Sequence, residues 1–298
     1  RDNLLFSPSI ALEKITPATP EVMSILQRYG FAMNRTMVNE DEPDHMERRR
    51  LLMDAFLPER LIPLEPMVRN LARQYMDRFV NQGRADLVAE MFYEIPLTIA
   101  LKFLGVPDEG AEQLRQFAVA HTLNTWGRPT PQEQLEIAEN VGRFWQTAQQ
   151  ILDTMRAQPD GEGWMYETIR QHLKHPDVVP ESYLRSMMMA ILAAAHETTS
   201  NATANAFLTL LSHRKAWEDI CANPALIPNA VEECLRVAGS IIAWRRQATA
   251  DAVVGGVPIP KGSKLLLVQA SANFDPRHFE NPDEVDVYRE AAVEHLTF

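Results

Sequence analysis

PESYLRSMMMAILAAAHETTSNATANAFLTLLS, residues 180–212, is the stretch from which the fold can be read. After its opening proline it contains neither Gly nor Pro, so nothing in it breaks a helix. At 1.5 Å per residue such a helix spans about 50 Å, several times the ordinary length of about 11–12 residues. It must cross a whole domain. The longest apolar run, 187–195, is followed at once by His196 and Glu197. That run falls well short of the roughly 20 apolar residues that span a bilayer, so it predicts a buried helix and no membrane span.

Outward from this helix the pattern stays helical. Helices are predicted over 20–29, from Asp44 to the approach of Pro58, over 66–81, over 86–104 with Gly105 as breaker, and over 108–123, 131–157, 164–174 and 228–238. The pattern then changes: 252–257 and 262–268, with Pro258-Ile259-Pro260 between them, read as a short hairpin. Twenty Pro against 12 Gly, dispersed along 298 residues, agree with helices joined by stiff connections. The predicted fold class is mainly α with a small β region near the C-terminal end.

Composition narrows the function classes. With 46% hydrophobic and 23% charged residues the chain is globular. Forty acidic residues against 29 basic ones give a formal charge of -11, which opposes non-specific binding to nucleic acid or an anionic membrane. Cys221 and Cys234 alone cannot form a disulfide framework or a four-thiolate metal centre. Such sparse thiols suit a reducing compartment, so a cytoplasmic location is expected. The chain starts at Arg1 without a signal-peptide pattern and stops at Phe298, and it reads as an excerpt.

The middle of the long helix holds the first candidates for chemistry. His196-Glu197 invites comparison with the H-E-x-x-H zinc motif, but position 200 is Ser, so no metal site is predicted there. What remains is an acid, Glu197, beside an alcohol, Thr198, a pair suited to moving protons in a water-poor pocket. The plain alternative is a Thr bonded back to its own helix carbonyl and a Glu reaching solvent. Glu233 and Arg236 stand at i, i+3 on a helix and can pair. His45 and Arg49 stand at i, i+4 in a basic run, Arg48-Arg49-Arg50, and Arg245-Arg246 follow Trp244. Guanidinium groups suit carboxylates or phosphates. Taken singly, each of these has an ordinary structural reading.

Their order and spacing together resemble the cytochrome P-450 family, soluble bacterial type, over essentially the whole chain. Ala194-Ala195-His196-Glu197-Thr198-Thr199 is similar to that family's A-G-x-[DE]-T-T, and Glu233-x-x-Arg236 to its E-x-x-R. NFDPRHFENPDEVDVYR, residues 273–289, is similar to the segment completing the family's E-R-R triad, with Arg289 in the second Arg position. His45-x-x-x-Arg49 looks like the heme-facing helix, and Arg246 like the Arg that grips a heme propionate. There are two departures. Ala195 occupies the family's Gly position, and His295-Leu296-Thr297-Phe298 looks like the opening of the heme-binding loop, whose Cys would come after Phe298.

The resemblance implies a single, incomplete heme-monooxygenase domain over 1–298, with heme b ligated by a Cys beyond Phe298 and no metal ligand within the chain. His45, Arg49, Ala194, Ala195 and Arg246 would bind the cofactor, Glu197 and Thr198 would be catalytic, and Glu233, Arg236 and Arg289 structural. The implied reaction inserts one oxygen atom from O2 into an apolar or aromatic small organic substrate. Met188, Ile191, Ile241, Ile242 and Ala243 are the substrate-wall candidates, joined by Ser240 and, near the Trp-Gly loop, by His121, Leu123 and Trp126. The methionines equally suit ordinary core filling. Electrons would come from a ferredoxin or a fused flavin/iron-sulfur reductase; residues 229–236 and 244–246 hint at the reductase-fused, self-sufficient kind. Arg48 and Arg50 are expected to form a basic spot for an acidic redox partner. The rival readings are a heme-free helical ligand-binding or scaffold protein and a peroxide-driven peroxygenase.

Overall fold

The computed structural model describes residues 4–117 and 119–297; Phe298, on which the expected heme-binding loop opens, lies outside the described residues. Helix α10 (Glu181–Ser212) is the axis of the molecule. Against it pack α5 (Glu94–Leu104), α7 (Ala120–Trp126), α8 (Pro131–Arg156), α9 (Trp164–Lys174), α11 (Arg214–Ala222) and α12 (Ile227–Ala238). Around this set lie α1 (Pro20–Arg28), α2 (Asp44–Leu52), α3 (Pro58–Leu61), α4 (Glu65–Asp77) and α6 (Asp108–Arg115). The first part of α10 is apolar on every side because it runs through the main core: Tyr183, Leu184, Met187, Met188, Met189, Leu192 and Ala193 are all buried.

Local chemistry explains the helix boundaries. Thr130 and Glu133 form a capping box at the start of α8, with Pro131 at its first turn. Gly105 ends α5 with φ 77°, a left-handed conformation that a side chain disfavours. Buried tryptophans place their N–H groups: Trp145 donates to the Gly30 carbonyl at 2.9 Å and Trp164 to the Leu52 carbonyl at 2.7 Å. The α1–α8 contact is close-packed at Gly142, where an added Cβ would lie 2.1 Å from the Tyr29 ring. The Tyr29 hydroxyl donates to Glu139 at 2.7 Å, which fixes that ring. Gly142→Ala is therefore expected to cost about 1–3 kcal/mol through overpacking. A lower urea midpoint at unchanged slope would show it, and an unmoved midpoint would mean that the ring yields freely.

The structure departs from the sequence expectations in four places. The single helix expected over 108–123 is two, α6 and α7, although neither Gly nor Pro marks the break; Leu114 is fully buried and Arg115 is tied to Glu94 at 2.5 Å, so tertiary contacts set the end of α6. The stretch 86–104 contains a π-helical turn, Val88–Phe92, before α5. Helix α11 was not anticipated. The hairpin pairing was also wrong: strand β3 (Ala252–Val254) pairs with β4 (Val257–Ile259), so Pro258 and Ile259 lie in a strand. The turn is Gly255-Gly256, with φ 56° and 82°, the two positive values that a tight two-residue hairpin turn requires. Strand β5 (Lys264–Leu267) instead joins β2 (Trp244–Ala248), which also pairs with β1 (Phe6–Ser7) in a three-stranded antiparallel sheet.

Candidate functional site

Halfway along α10 the enclosure opens. Leu192, Ala193, His196 and Ser200 stay buried, while Ala194 and Thr199 are exposed and Ala195, Glu197 and Thr198 half-buried. Polar side chains here are partly absorbed by the helix itself. Thr198 Oγ1 donates to the Ala194 carbonyl and Ser200 Oγ to the His196 carbonyl at 2.9 Å. His196 is a core residue: its Nε2 donates to the Tyr93 carbonyl at 2.9 Å, beside the π-helical turn, and the Tyr93 ring meets it edge-on at 4.3 Å. Burial lowers its pKa, so it stays neutral.

Glu197 is half-buried. Burial raises its pKa, and the only offset comes from the Thr122 hydroxyl of α7, which lies beside the carboxylate without completing a hydrogen bond of good geometry. Among the described residues no cation forms an ion pair with Glu197 within 4.0 Å; it keeps its proton to a higher pH than an exposed glutamate. Thr122 was missed by the sequence reading, which named its neighbours His121 and Leu123 instead. His121 itself is buried, and burial first and Lys14 second push its pKa down to about 4.

The other candidates lie on α7, on α10 and just ahead of β2. Trp126, at the end of α7, meets Trp244, at the start of β2, ring to ring at 6.2 Å. Ile241 and Ala243 are half-buried just ahead of that strand, whereas Ile242 is exposed; its carbonyl accepts from Ala270 N–H at 3.1 Å. The buried Ser240 hydroxyl and Gln269 Oε1 have no hydrogen-bond partner among the described residues. Ile191 packs at the margin of the core, but Met188 is completely enclosed and belongs to the core rather than to a cavity wall. On another face, Ala195, Thr199, Thr203 and Phe207 join Val68 of α4 and Ile95 of α5 around an apolar groove of about 460 Å³.

Two groups of cations differ in their surroundings. Arg246, on β2, is half-buried, and burial lowers its pKa; among the described residues it forms no ion pair with a carboxylate, and its NH1 donates to the Arg245 carbonyl at 2.9 Å. Arg49 is exposed and likewise forms no ion pair with a carboxylate among the described residues, while His45 Nδ1 contacts Glu42 at 3.0 Å. Arg48, expected at the surface, is instead half-buried: it pairs with Glu40 and its Nε donates to the Val178 carbonyl at 2.8 Å, so it is withdrawn from any surface basic spot.

Glu233 sits at the centre of a different assembly. It is fully buried and takes both arms of Arg236, at 2.8 and 2.9 Å, the Asp286 N–H at 2.9 Å, and Arg289 Nε at 3.2 Å. The remaining Arg236 donors reach the carbonyls of Asn273, Pro282 and Glu284, so the segment 273–289 is pinned to α12. Burial opposes the Glu233 charge, but these hydrogen bonds outweigh it and hold the carboxyl below its ordinary value.

The comparisons decide the family. The cytochrome P450 profile matches residues 218–289, the stretch that holds Glu233, Arg236 and Arg289. The crystal structure of the CYP116B5 heme domain of Acinetobacter radioresistens is 58% identical with a TM-score of 0.95, and covers 100% of this chain and 72% of that one. This chain belongs to the cytochrome P450 family. An intact type IV self-sufficient cytochrome P450 monooxygenase is 60% identical with a TM-score of 0.97, with 100% of this chain matched to 39% of that one. Cytochrome P450 CYP107DY1 of Priestia megaterium is 30% identical over 271 residues, 91% of this chain and 65% of the relative. This P450 chain thus spans about two thirds of that curated relative and well under half of the self-sufficient structure.

As a P450, the chain implies a heme, and its residues fit one on the propionate side. A half-buried guanidinium without a carboxylate, Arg246, matches an anionic group supplied from outside the chain, and the exposed Ala194 and half-exposed Ala195 leave one face of α10 uncovered at mid-length. Neither cysteine suits the iron. Cys221 is exposed, and Cys234 is buried against the Ala206 carbonyl, with its thiol pushed up to about 11 by burial first and by Glu233. Among the described residues no three His, Cys, Asp or Glu side chains could hold a metal ion, and no helix is long and apolar enough to cross a membrane.

Proposed function

We propose that residues 1–298 form part of one heme-thiolate monooxygenase domain, acting on a small apolar or aromatic organic substrate. The observation that carries this reading is the opening halfway along α10, where Ala194 is exposed and Ala195, Glu197 and Thr198 are half-buried just beyond the turns that run through the main core. When bound, heme b supplies the oxidising chemistry, the use of O2 to insert one oxygen atom into a C–H bond or heteroatom. The protein's part is control of charge and protons. Arg246, Arg49 and His45 neutralise the propionates, whose burial unpaired would be costly. Thr198, its own proton engaged by the Ala194 carbonyl, offers hydroxyl lone pairs toward the open face. Glu197, whose pKa burial raises, gives and regains a proton beside it.

Ala195 adds a methyl to this face and narrows it. Ile191, Ile241 and Ala243, the half-buried candidates for the substrate wall, are apolar, which favours an apolar substrate. A cysteine thiolate for the heme iron would come from outside the described residues. Electrons come from a ferredoxin or from a flavin/iron-sulfur reductase on the same polypeptide; the 60% identity to an intact self-sufficient enzyme favours the fused arrangement. A cytoplasmic setting follows from the sparse free thiols.

Heme content tests the cofactor assignment. In the full-length protein, Arg246→Leu is expected to release heme at least tenfold faster to an apo-globin acceptor, with little change in helix content. Release at the parental rate would remove Arg246 from the cofactor site.

A further inference from the structure

The first half of α10 is apolar on every side, so burial holds it in the core without fixing its rotation about its own axis. Polar links do that near the ends. The Ser186 hydroxyl accepts from the Asn34 N–H at 3.0 Å, and further on the Asn205 amide donates to the Ala238 carbonyl at 2.9 Å. About 28 Å of helix lies between these two links, and Glu197 and Thr198 stand within it. The hydroxyls of Thr198, Ser200 and Thr203 all turn back to carbonyls of α10 itself. Among the described residues, His196 is the one side chain of that interval whose hydrogen bond reaches another element with good geometry.

His196 is 0% exposed, its Nε2 donates to the Tyr93 carbonyl at 2.9 Å, and the two rings meet edge to face at 4.3 Å. Tyr93 closes the π-helical turn: its own N–H donates to the Val88 carbonyl at 3.0 Å, five residues back. The middle of α10 is thereby tied to the turn that leads into α5. This tie carries a penalty. With Nε2 as the donor, Nδ1 is a bare acceptor; it has no hydrogen-bond partner among the described residues and forfeits its hydration. A methionine would fill similar space without that penalty. A buried polar contact that an apolar side chain could replace is suited to specifying register rather than adding stability. Successive helix residues are about 100° apart, so Glu197 and Thr198 lie about 100° and about 200° round from His196. His196 therefore grips α10 from the side opposite Thr198. About 5 Å from the axis, a rotation of about 10° shifts a side chain by about 1 Å, and a misplacement of that size can cost about 100-fold in rate.

We propose that His196 is a positioning residue: through its bond to the Tyr93 carbonyl it sets the rotation of α10, and with it the places of Thr198 and Glu197. Its effect on turnover rests on the proton path proposed above; its effect on geometry does not. Gln and Met have nearly equal volumes, and only Gln can offer a donor where Nε2 stands. In the full-length protein His196→Met should keep its heme content yet form about fivefold less product per reductant consumed, while His196→Gln stays within about twofold of the parent. His196→Met combined with Thr198→Ala should couple no worse than Thr198→Ala alone, because both changes act through the same hydroxyl. The C–O stretching band of the reduced carbon-monoxide complex senses the polar groups over the heme without turnover. It should shift or split in His196→Met and keep the parental position in His196→Gln. An unmoved band in His196→Met, an equal loss in His196→Gln, or a double variant that multiplies the two single losses would overturn the proposal. So would failure of His196→Met to hold heme, which would give His196 a general packing role. Where Thr198→Ala uncouples, parental coupling in His196→Met also overturns it; where Thr198→Ala does not, the proton path fails and the band alone decides whether His196 positions α10.

Discussion

Glu233→Gln is expected to cost about 3–5 kcal/mol, a large share of the about 5–15 kcal/mol that holds an ordinary domain together. The amide keeps the shape of the carboxylate but not its charge, so Arg236, 1% exposed, and Arg289 are left inside the protein without a counter-charge. The loss spreads because Arg236 and Arg289 also carry the carbonyls of Glu280, Asn281, Pro282 and Glu284, and the segment that holds them has no helix or sheet of its own. The pH dependence has a fixed sign. Glu233 has a folded pKa below its unfolded value, so its contribution is fully present above the unfolded pKa and is lost as pH falls through the folded one. The gap between parent and variant should therefore be widest near neutrality and shrink in acid. Urea unfolding at both pH values checks this; an equal gap at both would mean that the carboxylate charge is not what holds the segment.

Thr198→Ala is expected to have the largest effect on the proposed reaction and almost none on the fold. Its hydroxyl bonds only to the carbonyl of its own helix at Ala194, and removing such a bond at a half-exposed site leaves stability within about 0.5 kcal/mol. Proton delivery by a placed side chain contributes about 100-fold or more, so product formed per reductant consumed should fall by about tenfold or more. Reductant consumption should continue and the missing oxygen should appear as hydrogen peroxide. Thr198→Ser, which keeps the hydroxyl, should recover most of the coupling. Parental coupling in the alanine variant would remove Thr198 from the proton path and leave its back-bond to Ala194 as its whole role.

How much of this was legible in the sequence depends on the range of the interaction concerned. Helix α10 was readable because nothing between Glu181 and Ser212 can break it. The break between α6 and α7 was not readable, because it is fixed by Arg115 reaching Glu94 on another helix. Strand pairing failed for a related reason. The stretches 252–257 and 262–268 were recognised as strands but β1 and β2 were not, and the Gly255-Gly256 turn, rather than the prolines, decided which strands met. At the site, local spacing exposed Glu197, Thr198, Glu233 and Arg236. Thr122 beside Glu197, and the Glu40, Arg48 and Tyr183 cluster, join segments far apart along the chain, and no periodicity encodes them. The Arg48-Arg49-Arg50 run shows the hazard: three like residues in sequence, one of them turned inward to a buried glutamate.

The central claim is that α10 covers a heme whose iron takes a cysteine thiolate from outside these residues. The carbon-monoxide difference spectrum of the reduced full-length protein addresses it most directly. The red-shifted absorption band peculiar to thiolate-ligated heme is expected, unaltered in Cys221→Ser and Cys234→Ser. A protein that takes up no heme, or one whose band is that of histidine-ligated heme, would contradict it.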